Sequence, residues 1–349
     1  MVDTLKLLSD LVRIPSLSRE EGVAADFLQS RLEDLGLKVN RAGCNLWVES
    51  EPVSDRPTIL LNAHIDTVKP APGYTRDPFT PVFEDGRLYG LGTNDDGASL
   101  VALLAAYLEL ISRPQPCRLV LSLTAEEEVT GAGGIDMILP EIGPVALGII
   151  GEPTGMRMAV AERGLIVLDC HASGRSGHAA RGEGENALYK ALDDISWIRA
   201  HRFEKVSAWL GEVKMTATMI SAGTQHNVVP DGCDFVVDVR PNGEYTNEEI
   251  VNEISAALSS EARPRSMRHQ SSSIAMDHPV VGRGLALGLE AFGSPTTSNR
   301  TRCTFPTLKI GPGDSARSHT ADEYILPEEI AQGIEIYVKL LDSLDPSLP

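Results

Sequence analysis

The stretch Thr58-Ile-Leu-Leu-Asn-Ala-His64 indicates the fold class, because it is a mainly apolar run that ends at a polar residue. Continuous apolar strands are typical of parallel sheets that are covered on both faces. Two further runs, Arg118 to Leu123 and Val145 to Ile150, have the same character, and a helix is predicted over 98–112. This alternation predicts an α/β domain with a mostly parallel sheet flanked by helices.

The pattern changes after about residue 160, where the predicted strands become longer and half polar. The strands and helices predicted there span 164–172, 186–200, 214–221, 234–240, 247–259 and 264–274. Their β-α-β-β-α-β order predicts an inserted, ferredoxin-like α+β domain. Strand 307–310 and helix 327–341, which begins at a proline, return to the first domain. The predicted division is 1–160 and 276–349 for the first domain and 161–275 for the inserted domain.

The composition of the chain argues against some classes of binding partner and metal site. The 349 residues carry a formal charge of −18, which argues against a nucleic-acid groove or an anionic membrane surface. The five cysteines are scattered, so the sequence indicates neither a disulfide framework nor a thiolate zinc site. The first residues lack the pattern of a signal peptide, and we therefore expect a cytoplasmic protein.

Polar clusters follow the predicted strands of the first domain. They contain His64 and Asp66, then Asn94-Asp95-Asp96-Gly97, then Glu126-Glu127-Glu128, then Glu152, and near the end His319. Alternation along an extended chain points His64 and Asp66 to the same side, so Asp66 can support the imidazole. Adjacent carboxylates at a strand end are costly unless a cation neutralises them. Singly, each cluster is also consistent with a surface pair, a helix cap or a solvated acidic loop; together they match the ligands of a two-metal hydrolase.

These motifs carry a resemblance to a known family. His64-Ile-Asp66-Thr-Val, Asn94-Asp95-Asp96-Gly97, Thr124-Ala-Glu-Glu127-Glu128, Gly151-Glu152-Pro153-Thr154 and Ser318-His319 follow the order and approximate spacing of M20 metallopeptidases. Within that family the chain resembles the N-acetylornithine deacetylases and the related N-acylcitrulline and N-acylornithine deacylases of the Bacteroidetes. Leu91 and Gly97-Ala98 stand where the family commonly has arginine and lysine, which indicates a distinct subgroup.

The resemblance implies a catalytic domain that holds two zinc ions per subunit, which cobalt can replace. Asp95 would bridge the ions, with His64 and Glu152 completing one site and Glu128 and His319 the other. Glu127 would be the general base, and Asp66 would lie behind His64.

The resemblance also implies that the inserted domain is a lid through which a homodimer forms. His178, in Ser176-Gly177-His178-Ala179, would stabilise the oxyanion in the neighbouring subunit. Asn227 and Arg240 would contact the substrate, and the Arg240 guanidinium is suited to a carboxylate.

The function implied is removal of an acetyl or succinyl group from N-acyl-ornithine or N-acyl-citrulline in arginine biosynthesis. A dipeptidase or aminopeptidase of the same family, an N-succinyl-diaminopimelate desuccinylase and a catalytically silent metal-binding scaffold stay open as alternatives. The expected partners are a small N-acylated amino acid and a second subunit, with no nucleic acid and no membrane.

Overall fold

The computed structural model describes residues 2–51 and 56–346, so the domain ends predicted at residues 1 and 349 lie outside the described residues. Helices α1 to α8 span Thr4–Val12, Gly22–Asp34, Ala98–Ile111, Leu139–Ile142, Ala187–Ala200, Asn247–Ala257, Pro279–Ala286 and Pro327–Leu341. Strands β1 to β9 span Asn40–Ala42, Asn45–Glu49, Thr58–His64, Val82–Glu84, Arg87–Tyr89, Arg118–Thr124, Leu147–Ile150, Met158–Glu162 and Ile166–Ser173. Strands β10 to β18 span Gly177–His178, Lys214–Ala222, Val228–Val229, Gly232–Arg240, Glu261–Pro264, Ser272–Ser273, Ala291–Ser294, Thr307–Lys309 and Tyr324–Ile325.

The first of two compact units runs to Val160 and includes Ser273–Phe292 and the chain from Ser298 onward. The central strands of its sheet lie in the order β2-β6-β3-β7-β17-β8. Strand β3 is parallel to β6 and β7, and β7 is parallel to β17, whereas β2 and β8 pair antiparallel with their neighbours. Every residue of β3 is buried, as expected of a central parallel strand. The predicted α/β fold with a mostly parallel sheet is confirmed.

The register of the parallel strands aligns their carboxyl ends. His64 of β3 lies opposite Thr124 of β6, and Ile150, which ends β7, lies opposite Asn62 of β3 and Lys309 of β17. The residues that follow these four strands therefore meet at one edge of the sheet, which is where open α/β sheets place their ligands.

Helices α3 and α8 pack against each other in this unit. Ala98, Leu100 and Leu104 of α3 are fully buried, as expected of a helix that is apolar around its circumference. The Tyr337 hydroxyl of α8 donates a hydrogen bond to the carbonyl of Ile310, 2.6 Å away. This contact ties α8 to the chain just beyond β17.

The second unit comprises Ala161–Ser272 and the short segment Gly293–Thr297, which the predicted division places elsewhere. Its four strands lie in the order β11-β13-β9-β14, all antiparallel, and α5 and α6 complete the chain order β-α-β-β-α-β. Alternate residues of β9 are buried, as in a sheet with one face on the core. The ferredoxin-like arrangement of this unit is confirmed.

The last strand of this unit is not where the sequence predicts it. A strand was expected over 264–274, but β14 covers Glu261–Pro264 and pairs with β9 at the edge of the sheet. Pro264 ends the strand instead of beginning it, because a proline without an N–H is tolerated where no further strand must be paired. The next residue, Arg265, makes one more bond, to the carbonyl of Val167 at 2.9 Å.

Among residues 2–51 and 56–346, no helix is both long enough and apolar enough to cross a bilayer. The five cysteines all lie in this part of the chain, and each is a free thiol.

Candidate metal centre

Five chain segments bring polar side chains to the carboxyl edge of the sheet. His64 ends β3, and the pair Glu127-Glu128 follows β6. Glu152 follows β7, Asp95 lies in the turn before α3, and His319 lies in the loop after β17. The structure therefore gathers all five predicted metal ligands and the predicted base, Glu127, in one unit.

Two overlapping groups of side chains lie at the spacing of metal ligands. One ligand atom from each of His64, Glu127 and Glu152 lies within 4.8 Å of the others, and the same holds for His64, Asp95 and Glu128. Oxygen and imidazole donors of this kind are the ligands that zinc takes in the absence of cysteine. The donor set fits divalent cations.

The two carboxylate oxygens of Asp95, the predicted bridging ligand, face two different histidines. Oδ1 lies 3.2 Å from His64 Nε2, and Oδ2 lies 3.7 Å from His319 Nε2. His319 Nε2 is also 3.0 Å from the Glu128 carboxylate. His64 is buried, whereas the His319 side chain is 53% exposed. The centre thus has an inner and a solvent-facing side.

The three glutamates of the centre, Glu127, Glu128 and Glu152, all have a raised pKa, whereas the pKa of Asp95, which burial acts to raise, is lowered by its bond with His64. Burial raises the pKa of Glu152 to about 8, against the lowering effect of Lys309 and with a further rise from Asp95. Desolvation and the Glu152 charge raise the pKa of Glu127 well above its ordinary value. Like charges that lose water favour protonation unless a cation replaces the proton. This state is what a metal ion relieves.

The pKa values of both histidines of the centre are also raised, which favours their charged form. Burial acts to lower the pKa of His64, but hydrogen bonds with Asp66 and Asp95 raise it well above its ordinary value. The hydrogen bond with Glu128 raises the pKa of His319 to about 9. Each imidazole must lose its proton before it can bind a metal ion.

Asp66 has a different set of contacts from the one predicted. Its carboxylate lies 3.5 Å from His64 Nδ1, but its backbone carbonyl is closer, at 2.8 Å. The carboxylate accepts hydrogen bonds from the backbone N–H groups of Glu127 (3.0 Å) and Glu128 (3.1 Å) and from the Ser18 hydroxyl (2.7 Å). Asp66 therefore orients the imidazole mainly through its main chain and fixes the Glu127-Glu128 segment through its side chain.

Two more buried groups lie at the centre: Lys309, which no sequence motif indicates, and Asp96, which belongs to a predicted polar cluster but has no predicted role. Lys309 Nζ lies 3.5 Å from Glu152 Oε2, and its side chain is almost fully buried. Asp96 Oδ2 accepts the backbone N–H of His64 at 3.2 Å, across a turn in which the Asp95–Asp96 peptide bond is cis. Lys309 stands in the predicted apolar strand 307–310, and a charged residue in a buried strand requires a partner of opposite charge. That position is the signal from which a role for Lys309 could have been inferred.

The remaining predicted residues lie in the second unit. The structure brings together the segments of His178 and Asn227, because His178 pairs with Val228 and the Asn227 carbonyl accepts the N–H of Ala179 at 3.0 Å. Both His178 and Asn227 are exposed.

Arg240, at the end of β13, makes its own set of contacts. Its Nε and Nη2 atoms donate to the Asp238 carboxylate at 2.8 and 2.9 Å, and Nη1 donates to Thr297 Oγ1 at 3.1 Å. The Arg240 guanidinium, which is predicted to bind a substrate carboxylate, is thus paired with the Asp238 carboxylate.

The chain is similar to proteins that are already known. The model of the family described as "Peptidase family M20/M25/M40" matches residues 60–343. The chain is 28% identical over 268 residues to the succinyl-diaminopimelate desuccinylase of Cereibacter sphaeroides, covering 72% of this chain and 70% of the relative.

Two solved structures share the fold. An M20 family metallo-carboxypeptidase from Sulfolobus solfataricus superposes with a TM-score of 0.78 at 17% identity, with 100% of each chain covered. A dinuclear metal-binding peptidase of the M20 family from Bacillus subtilis superposes with a TM-score of 0.74 at 15% identity, covering 99% of this chain and 98% of that one.

Proposed function

Because this chain belongs to peptidase family M20/M25/M40, we propose that it uses two zinc ions to remove the N-acyl group from a small acylated amino acid. It is a metal-dependent hydrolase of amide bonds. The finer assignment, to N-acyl-ornithine or N-acyl-citrulline in arginine biosynthesis, rests on the resemblance of the overall sequence to such deacylases, because the motifs around Asp95, Glu127 and His319 are common to the alternatives. The observation that carries the proposal is the gathering of two histidines and four carboxylates at one sheet edge.

The proposed ligands divide into two sets that share Asp95. His64 and Glu152 would hold one zinc ion, and Glu128 and His319 would hold the other. The chemistry that zinc would supply is a polarised acyl carbonyl and a water whose pKa is lowered from about 15.7 toward about 7. The buried Lys309 beside Glu152 keeps that carboxylate partly neutralised.

Glu127 is the proposed general base. The Asp66 carboxylate accepts hydrogen bonds from the backbone N–H groups of Glu127 and Glu128. These bonds fix the position of Glu127 beside the neighbouring proposed ligand, Glu128. Glu127 takes a proton from the water whose oxygen bonds to the acyl carbon. It then gives that proton to the departing nitrogen as the C–N bond breaks, which leaves a free carboxylic acid and an amine.

The second unit is the proposed dimerisation lid. Strand β11 forms an edge of its sheet and carries Met219 (65% exposed) and Ile220 (49% exposed). Tyr189 and Leu192 of α5 are also exposed. Exposed apolar groups on an edge strand and a neighbouring helix favour pairing with a second copy. In this proposal His178 of one subunit stabilises the oxyanion in the other.

A second candidate substrate follows from the relatives that are named succinyl-diaminopimelate desuccinylase. Such an enzyme would use the same centre, and the difference would lie in the groups that receive the acyl chain and the amine. Asn227 and Arg240 are the proposed substrate contacts, with Arg240 exchanging Asp238 for a substrate carboxylate.

The test is hydrolysis by the zinc-loaded protein of N-acetyl- and N-succinyl-ornithine and -citrulline, N-succinyl-diaminopimelate and simple dipeptides. Glu127→Gln removes the proposed base. Glu126→Gln is the matched control, because Glu126 accepts the backbone N–H of Gly133 at 3.2 Å and belongs to neither ligand group. Activity on an acylated ornithine or citrulline that Glu127→Gln abolishes and Glu126→Gln keeps supports the proposal. Activity on dipeptides alone overturns it.

A further inference from the structure

Glu323 is a buried carboxylate, 2% exposed, four residues beyond His319 and outside both ligand groups. We propose that it is the positioning residue that fixes the bridging Asp95 relative to His319. This inference rests on the proposed two-metal function. It assigns a role to a side chain that neither donates to a metal ion nor touches the substrate.

The contacts of Glu323 converge on the turn that carries Asp95. Oε1 accepts the backbone N–H groups of Asn94 at 2.8 Å and Asp95 at 2.9 Å, and Oε2 accepts that of Gly92 at 3.1 Å. The backbone carbonyl of Glu323 accepts the N–H of Gly90 at 3.0 Å. One residue thus satisfies four donors of a single turn.

That turn requires external support. Gly92 has a φ of 76°, in the left-handed region, and the N–H groups of Gly92, Asn94 and Asp95 are bonded to the Glu323 side chain. Buried N–H groups without partners are costly. The Glu323 carboxylate supplies these partners, so the direction of the Asp95 side chain depends on it.

Asn94 makes the reciprocal connection. Its amide nitrogen donates to the Asp314 carbonyl at 3.1 Å and to the Ser318 hydroxyl at 3.3 Å, and its oxygen accepts the N–H of Asp314 at 2.9 Å. Glu323 therefore bonds to the turn before α3, and Asn94 of that turn bonds to the loop that carries His319. Asp95 Oδ2 and His319 Nε2 lie 3.7 Å apart across this junction.

The chemistry of the contact requires a carboxylate. Three N–H donors meet the two side-chain oxygens of Glu323, and both oxygens act as acceptors. Glutamine at this position would turn an NH₂ group toward at least one backbone N–H, so a donor would face a donor. The turn would shift, and Asp95 would lose its alignment with His319.

The experiment compares Glu323→Gln with Asp322→Asn. Asp322 is a matched control, because it accepts the N–H groups of Thr75 and Arg76 and the Thr75 hydroxyl but has no bond to the Asp95 turn. Zinc affinity is measured by competition with a chromophoric chelator, and the cobalt-loaded proteins are compared by visible absorption. We expect Glu323→Gln to weaken zinc binding by about 10- to 100-fold, the range for partners of metal ligands, and to alter the cobalt spectrum. Asp322→Asn should keep both near wild type.

Unchanged zinc affinity and cobalt spectrum in Glu323→Gln, or an equal loss in Asp322→Asn, would overturn the positioning role while the two-metal function stands. A wild-type protein that binds no zinc would overturn the function itself. If Glu323→Gln does not fold, Asn94→Ala tests the same junction from the other side. Weaker zinc binding by Asn94→Ala then supports the inference, and unchanged binding contradicts it.

Discussion

Replacing Asp66 with asparagine should weaken the metal centre without removing any proposed ligand. The Asp66 carboxylate accepts two backbone N–H groups, from Glu127 and Glu128, and the Ser18 hydroxyl. Although burial acts to raise its pKa, hydrogen bonds from His64 and Ser18 hold the pKa of Asp66 below its ordinary value. The carboxylate is therefore ionised at neutral pH, and the substitution removes a full charge.

The size of the effect follows from those bonds. Asparagine has one oxygen, so one of the two backbone N–H groups would face an NH₂ group. A hydrogen bond to a charged partner contributes about 1.5 to 3 kcal/mol. At about 1.36 kcal/mol per factor of ten, the loss corresponds to about a 10- to 150-fold fall in zinc affinity or kcat.

The assay pairs zinc competition with steady-state kinetics for Asp66→Asn and for Ser18→Ala. Ser18→Ala removes one bond to the same carboxylate but leaves its charge, and about 0.5 to 1.5 kcal/mol, or about 2- to 12-fold, is expected. If Asp66→Asn matches wild type in both zinc affinity and kcat, Asp66 does not fix the Glu127-Glu128 segment.

Three further outcomes are expected. Glu127→Gln should lower kcat by at least about 100-fold, as for loss of a general base, while zinc affinity measured by competition stays near wild type; a large loss of affinity would make Glu127 a ligand. Because the pKa of His319 is raised to about 9, its imidazole is protonated at neutral pH and zinc must displace that proton. Zinc affinity should therefore fall as the pH is lowered through about 9, and calorimetry in two buffers should detect proton release; identical heats after correction for buffer ionisation would refute this. Leu100→Ala in α3 should lower the free energy of unfolding by about 2 to 5 kcal/mol in denaturant titrations, and a change within experimental error would place Leu100 outside the core.

The strands and the gathering of the ligands could be predicted from the sequence because both depend on local patterns. An apolar run such as 58–64 indicates a strand that is buried on both faces, and the polar residue that ends the run marks the end of the strand. Since parallel strands share one carboxyl edge, the tips of several such runs must meet. That argument places His64, Glu128 and Glu152 together without any knowledge of their distances.

The roles of Glu323, Lys309 and Asp66 could not be predicted in the same way. Glu323 acts on backbone N–H groups of a turn that is remote in sequence, and no periodicity of the chain encodes such a contact. Lys309 looks like an ordinary strand residue until the register places it beside Ile150, just before Glu152. The misplaced last strand of the second unit has a similar origin, because Pro264 is compatible with either end of an edge strand.

The spread of the ligands along the chain has a consequence for biosynthesis. The second unit lies between His64 and His319 in the chain, so His64 is synthesised before it and His319 after it. A nascent chain can therefore present isolated histidines and acids but not the assembled centre, because β17 and the loop behind it must first join the sheet. The complete centre therefore forms only after His319 has been synthesised. Until a metal ion binds there, the buried carboxylates of Glu127 and Glu152 lie close together at the edge of the sheet with no cation between them.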